Sequence, residues 1–135
     1  MKELRIEAAI DRLDEVLAFV DTELELMDCP MKIQMQIDVA VEEIYVNIAS
    51  YAYMPGRGDA IIRLDTDPQR RRVAVTFIDS GIPYDPLARE DPDVTLSAEE
   101  RGIGGLGIYM VKKSMDDMSY RYENGHNILR IEKQI

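Results

Sequence analysis

The longest periodic pattern in the chain predicts a central helix. Between residues 33 and 51, apolar side chains recur at three- and four-residue steps for about five turns. The members of this stripe are Ile33, Ile37, Ala40, Val41, Ile44, Ile48 and Tyr51. Such a stripe occupies one face of a helix, so the helix must pack against a core. Residues 54–58, which contain one proline and two glycines, are expected to end it.

Two β-hairpins follow. The first joins strands at residues 60–65 and 73–78, and the second joins strands at 118–123 and 127–133 through the Asn-Gly turn at Asn124. Turn residues separate the two strands of each pair, whereas a parallel pair would need a long crossover.

Alternating charged and apolar residues predict a first strand over residues 2–8. Asp11 is expected to cap a helix that breaks near Pro30, and another helix is expected over about residues 105–116. The order of these elements predicts an α+β fold, in which a layer of helices covers a mostly antiparallel sheet.

Composition excludes several functional classes. The 135 residues suit one domain, and the 26 acidic against 16 basic residues leave too little positive charge for a general nucleic-acid surface. No apolar run approaches the ~20 residues that span a bilayer, so no membrane association is expected. Cys29 is the only cysteine, which excludes an internal disulfide. A cytoplasmic location is the expectation that follows.

Glu43 and Asn47 are four residues apart, so they share a helical face beside the apolar stripe. Asparagine offers a neutral oxygen suited to Mg²⁺, and glutamate could accept a proton from a hydroxyl or water that attacks a phosphate. The alternative is that both are solvent-facing residues of an amphipathic helix.

Asp79 ends a predicted buried strand and enters a turn with Gly81. Its carboxylate could accept a hydrogen bond from an adenine amino group, with Gly81 leaving space for the base. The alternative is a carboxylate that only makes an Asx-type turn.

Glycines at positions 102, 104, 105 and 107 precede the third predicted helix. Their pattern matches a dinucleotide fingerprint, but no strand precedes it and too little chain follows for that fold. What remains is a glycine-rich helix start whose amides attract phosphate. Arg101 could add positive charge there, or be an ordinary surface cation. The long charged segment from residue 86 to about 104 is expected to be a lid.

Three motifs in this order resemble the GHKL (Bergerat-fold) ATP-binding superfamily, in particular the anti-sigma-factor serine kinases of the RsbW and SpoIIAB type. They are Glu-x-x-x-Asn at 43–47, Asp-x-Gly-x-Pro-Tyr-Asp-Pro at 79–86, and Gly-Leu-Gly at 105–107 running into Met-Asp-Asp at 115–117. The resemblance implies a single histidine-kinase-like domain over residues 1–135. It would be a two-layer α/β sandwich with a mixed, mostly antiparallel sheet of about five strands, covered on one face by three helices.

The resemblance also implies roles for individual residues. Glu43 would be the catalytic base and Asn47 would bind Mg²⁺. ATP would be held by Asn47, Asp79, Gly81, Arg101, Gly105, Leu106 and Gly107. There are two departures from the family pattern. Tyr51 occupies a position where relatives often carry histidine, and the segment from Gly125 through Asn127 to Ile128 replaces a small-plus-threonine pattern of some relatives near the adenine.

Two functions remain open at this point. The first is a protein-serine/threonine kinase that phosphorylates a STAS-domain anti-anti-sigma factor and sequesters a sigma factor or similar regulator, with a homodimer as a common arrangement in the family. The second is an ATP-binding interaction module that switches a partner without phosphorylating it.

Overall fold

The computed structural model of this chain describes residues 1–88 and 106–135. Two of the predicted nucleotide-binding residues, Arg101 and Gly105, lie outside the described residues, as does most of the predicted lid. None of the helices in the described ranges is long and apolar enough to cross a membrane.

In the described part of the chain, five strands form one sheet in the order β1-β2-β3-β5-β4, with β3 at its centre and β2 and β5 beside it. The strands are β1 (Lys2–Glu7), β2 (Asp59–Asp67), β3 (Arg72–Asp79), β4 (Asp117–Glu123) and β5 (His126–Gln134). Each pairing among the described residues is antiparallel. Both predicted hairpins are present, as β2–β3 and β4–β5. The sheet of the described residues is therefore wholly antiparallel, and the prediction of a mostly antiparallel sheet of about five strands is confirmed.

Within the described ranges, three helices cover one face of this sheet, which confirms the predicted α+β architecture. They are α1 (Leu13–Leu26), α2 (Met31–Asn47) and α3 (Leu106–Ser114). The core forms where they meet the inner faces of the strands, with contributions from Val20 of α1, Val41 of α2, Val111 of α3 and Phe77 of β3. Burial of these side chains is the main stabilising contribution, at roughly 25 cal/mol for each Å² of apolar surface removed from water.

Tyr45 of α2 connects the helical layer to the chain that leaves β1. Its ring is fully buried, and its hydroxyl accepts a hydrogen bond from the amide of Ala9 and lies 2.7 Å from the carbonyl oxygen of the same residue. Burial raises the pKa of this phenol. The neutral hydroxyl can donate to a carbonyl, so it satisfies polar backbone that would otherwise be buried without a partner.

Two local predictions differ from the structure. Asp11 does not cap α1, because it lies inside a 3₁₀ turn at Ile10–Arg12, and Arg12 at the cap position makes no side-chain cap hydrogen bond. The apolar stripe of α2 continues beyond Asn47, but the last turn, Ile48–Ala52, is π-helical. Such turns are rare in proteins, and those that do occur are often found at functional sites.

Two carboxyl groups, Asp21 of α1 and Asp38 of α2, interact between the helices. The Oδ1 atom of each is buried and finds no hydrogen-bond donor among the described residues. The pKa of Asp38 is raised to about 8, mainly by burial and also by the neighbouring Asp21. A proton retained by one carboxyl can form the hydrogen bond between them, since two adjacent carboxylates would repel each other.

This pair makes stability depend on pH. Asp38 in the unfolded chain titrates near its ordinary pKa of about 4, so the folded state holds more protons between pH 4 and 8. The stabilising contribution is therefore complete below pH 4 and is lost as the pH rises through about 8. We expect Asp38→Asn to raise the melting temperature at pH 9 more than at pH 5, measured by thermal denaturation. Glu42→Gln, an exposed change on the same helix, serves as control; equal shifts at both pH values would contradict this interpretation.

Candidate functional site

A cleft of about 440 Å³ opens between the end of α2 and the central strands. This volume lies in the range of small-molecule sites. Four polar side chains line it, Glu43, Asn47, Asp79 and Asn127, and the other walls are largely apolar or aromatic. The cleft therefore unites the first two predicted motifs, which are 36 residues apart in the sequence (79 minus 43).

Glu43 and Asn47 lie on the α2 wall of the cleft, as their spacing predicted. The Asn47 amide Nδ2 is 3.5 Å from Glu43 Oε1, at the limit of a hydrogen bond. In this orientation Nδ2 is directed at the carboxylate, and Oδ1 is the atom available to a cation. The amide oxygen of Asn47 thus suits a hard metal ion, and the carboxylate of Glu43 suits the role of proton acceptor.

Gly107, in the first turn of α3, packs directly against Glu43. A Cβ atom added at Gly107 would overlap the Glu43 carboxylate. The glycine is therefore required for close approach between α3 and α2, and this contact places Gly107, one residue of the predicted third motif, beside a residue that lines the cleft. Leu106 begins α3 beside it.

Asp79, at the end of β3, is only 7% exposed. Its Oδ1 accepts hydrogen bonds of 2.9 Å from the Gly81 amide and from the Asn127 side chain. The first of these bonds forms an Asx-type turn, the alternative role expected for Asp79. Among residues 1–88 and 106–135 no hydrogen bond reaches Asp79 Oδ2, so the same carboxylate retains an acceptor for a ligand.

Gly81 has a packing reason to be glycine. A Cβ at this position would overlap the backbone of Ala52 in the π-helical turn, and the neighbouring Ile82 amide donates a 3.0 Å hydrogen bond to the Ala52 carbonyl oxygen. The turn after β3 is thus fixed to the end of the α2 region. A role of Gly81 toward a base stays a prediction.

Asn127 is a buried cleft residue for which the sequence predicted no role. It lies opposite Asp79 in the β3–β5 register and is 6% exposed. The inward-facing positions of β5 alternate as Asn127, Leu129 and Ile131, so a polar residue in that series was the signal that could have identified it. Tyr84 and Tyr120 also line the cleft. Tyr84 belongs to the second motif but had no predicted role, and Tyr120 had no such signal.

The charge of the cleft is negative. Glu43 and Asp79 line it, and no lysine or arginine does so among the described residues. A polyanionic ligand would therefore need a cation to compensate these carboxylates, in addition to backbone amides.

Comparisons with known proteins identify the relatives of this chain. The family model described as histidine kinase-like ATPase domain matches residues 6–133. The serine/threonine-protein kinase BtrW of Bordetella bronchiseptica is 29% identical over 100 residues, covering 74% of this chain and 70% of that protein. The serine-protein kinase RsbW of Listeria monocytogenes is 28% identical over 107 residues, covering 73% of this chain and 68% of the relative.

The fold is also found in a solved structure. The crystal structure of the RsbU and RsbW domains of Rv1364c from Mycobacterium tuberculosis superimposes with a TM-score of 0.64 at 14% identity, over 99% of this chain. This chain spans 32% of that longer one, and at 14% identity the likeness concerns the fold alone. The family model, by contrast, accounts for nearly every residue. The chain belongs to the histidine kinase-like ATPase domain family.

Proposed function

We propose that residues 1–135 form one domain that acts in the cytoplasm as an ATP-dependent protein-serine/threonine kinase. Its substrate would be a STAS-domain anti-anti-sigma factor, and it would sequester a regulatory partner such as a sigma factor. The observation that carries the proposal is the single cleft that holds Glu43, Asn47 and Asp79 together. The serine kinases to which the chain is similar support it, and a homodimer stays a prediction.

The residues present fit an adenine nucleotide with Mg²⁺. Asp79 Oδ2 would accept a hydrogen bond from the adenine amino group, next to Gly81. Asn47 Oδ1 would hold Mg²⁺, which supplies positive charge to the phosphate oxygens when bound. Gly107 would lie beside the phosphates at the start of α3, where amides lack helical partners. Arg101, Gly105 and Leu106 are proposed to complete the phosphate site.

Glu43 is proposed as the proton acceptor. In the transfer, the serine hydroxyl oxygen forms a bond to the γ-phosphorus, the bond from that phosphorus to the ADP oxygen breaks, and the hydroxyl proton moves to the Glu43 carboxylate. The helix α2 holds this carboxylate, and the adjacent Asn47 and Gly107 restrict where it can lie. A positioned base of this kind contributes about 10²–10⁴-fold to a rate.

Glu43→Gln should therefore lower phosphotransfer to the cognate STAS protein by about 10²-fold or more, because a neutral amide cannot accept the proton. ATP affinity, measured by isothermal titration calorimetry, should change much less. The matched control is Glu42→Gln, an exposed neighbour on α2. If Glu43→Gln transferred the γ-phosphate at the rate of the unaltered protein, Glu43 could not be the base.

Asp79→Ala should abolish measurable ATP binding. The adenine amino group would lose its hydrogen-bond acceptor, and the turn at Gly81 would lose a hydrogen bond. Calorimetry with ATP and Mg²⁺ checks this, and circular dichroism establishes that the variant folds. Asp67→Ala provides a control at the β2–β3 turn, where Asp67 likewise accepts a backbone amide hydrogen bond. Undiminished ATP affinity in a folded Asp79→Ala variant would contradict the assignment.

A second candidate is the ATP-binding module that switches a partner without phosphorylating it. It is favoured by the exposed apolar side chains at the cleft, Tyr51 and Ile82 at 62% and Tyr84 at 47%, which could contact another protein. Calorimetry and phosphotransfer measured on the same preparation separate the two functions. Nucleotide binding without transfer to any cognate STAS protein would support the module and exclude the kinase.

A further inference from the structure

We propose that Asn127 is a positioning residue that, held by Tyr120, orients Asp79 and thereby sets a selectivity for 6-amino over 6-oxo purines. This inference rests on the proposed nucleotide site, and it concerns side chains on β4 and β5 that the proposed reaction does not itself use. It follows from the hydrogen bonds that surround the Asn127 amide.

The contacts leave only one orientation for the Asn127 amide. Its Nδ2 lies 2.9 Å from both Asp79 Oδ1 and the Ile82 carbonyl oxygen, and 3.5 Å from the Gly81 carbonyl oxygen. Backbone carbonyl oxygens accept hydrogen bonds but cannot donate them, so the amide nitrogen must face this side. On the other side, the Tyr84 backbone amide donates to Asn127 Oδ1 at 3.1 Å.

Tyr120 completes the set. Its hydroxyl lies 2.5 Å from Asn127 Oδ1 and must donate, because that oxygen is an acceptor. Burial raises the pKa of Tyr120, so the phenol keeps the proton that this bond requires. Both N–H groups and both acceptor positions of the Asn127 amide are then in use, so this side chain has no hydrogen-bonding capacity left for a nucleotide. Asn127 therefore acts on a ligand only through Asp79 and the turn at 81–84.

These contacts give the two carboxylate oxygens of Asp79 different roles. Oδ1 is occupied by Asn127 and by the Gly81 amide, and both of these are donors. Both bonds reach Oδ1 and leave Oδ2 as an acceptor without a partner among the described residues. An acceptor at that place favours the 6-amino group of adenine and opposes the 6-oxo group of hypoxanthine or guanine, since two facing acceptors have no proton between them.

The inference can be tested with Asn127→Asp. The new carboxyl would lie against Asp79, and two adjacent carboxyl groups share a proton. Asp79 could then donate as well as accept, so the distinction between amino and oxo groups should fade. We expect calorimetry with ATP and ITP, each with Mg²⁺, to show an ATP-to-ITP affinity ratio at least about tenfold lower than in the unaltered protein.

Asn124→Asp, the same chemical change in the exposed turn of the same hairpin, should leave the ratio unchanged. Tyr120→Phe provides a milder second variant. It removes one of the two donors to Asn127 Oδ1, so the ratio should fall about two- to fivefold. This variant also tests the inference if Asn127→Asp does not fold, which thermal denaturation would show.

A merely structural Asn127 would weaken ATP and ITP equally, so an unchanged ratio in the folded variants would overturn the inference. The proposed function is tested separately by the unaltered protein. If that protein binds ATP and transfers phosphate while the variants keep its selectivity, the inference alone fails. If it binds neither nucleotide, the proposed function fails, and the selectivity role fails with it.

Discussion

The packing of α2 against the sheet is the constraint on which the rest of the structure depends. One side of this helix contributes fully buried side chains such as Val41 and Ile44 to the core. The helix cannot rotate without exposing them, at a cost of about 1.5–3 kcal/mol for each large side chain. Glu43 and Asn47 are on the same rigid element, so their position at the cleft is a consequence of core formation. The hydrophobic effect thus places the polar groups.

A second constraint acts at the ends of the central strands. Asp79 and Asn127 are buried polar residues opposite each other on β3 and β5. Burial of unpaired polar groups costs about 1–3 kcal/mol each, so such residues persist only where partners are available. Here they bond to one another and to the turn that follows β3. The cleft therefore has a polar floor whose geometry is set by the protein before any ligand arrives.

The arrangement of elements could be predicted from the sequence because each has a local signal. The α2 stripe, the two hairpins and their turns appear where periodicity and turn residues indicate them, and observed boundaries differ by only a few residues. The cap of α1 could not be predicted, because whether Asp11 caps a helix or lies in a 3₁₀ turn depends on backbone geometry that the residue type does not determine.

Part of the candidate site could likewise be predicted, because some of its residues belong to local sequence motifs. Glu43, Asn47 and Asp79 belong to motifs with regular spacing, and the fold brings them to one cleft. Asn127 lies where some relatives have a pattern with threonine, and Tyr120 belongs to no motif. The importance of both residues depends on strand register, which is a long-range property. The proximity of Asp21 and Asp38 likewise depends on how two helices pack. Sequence patterns show which face of a helix or strand a side chain occupies. They show less readily which distant residue that side chain contacts.

The aromatic composition of the cleft has an optical consequence. The chain contains no tryptophan and seven tyrosines, so its intrinsic ultraviolet emission comes from phenol rings alone. Three of them, Tyr51, Tyr84 and Tyr120, surround the cleft. A molecule that enters it must alter the polarity and quenching around nearly half of the emitting groups, so the protein carries a built-in spectroscopic reporter of its own occupancy.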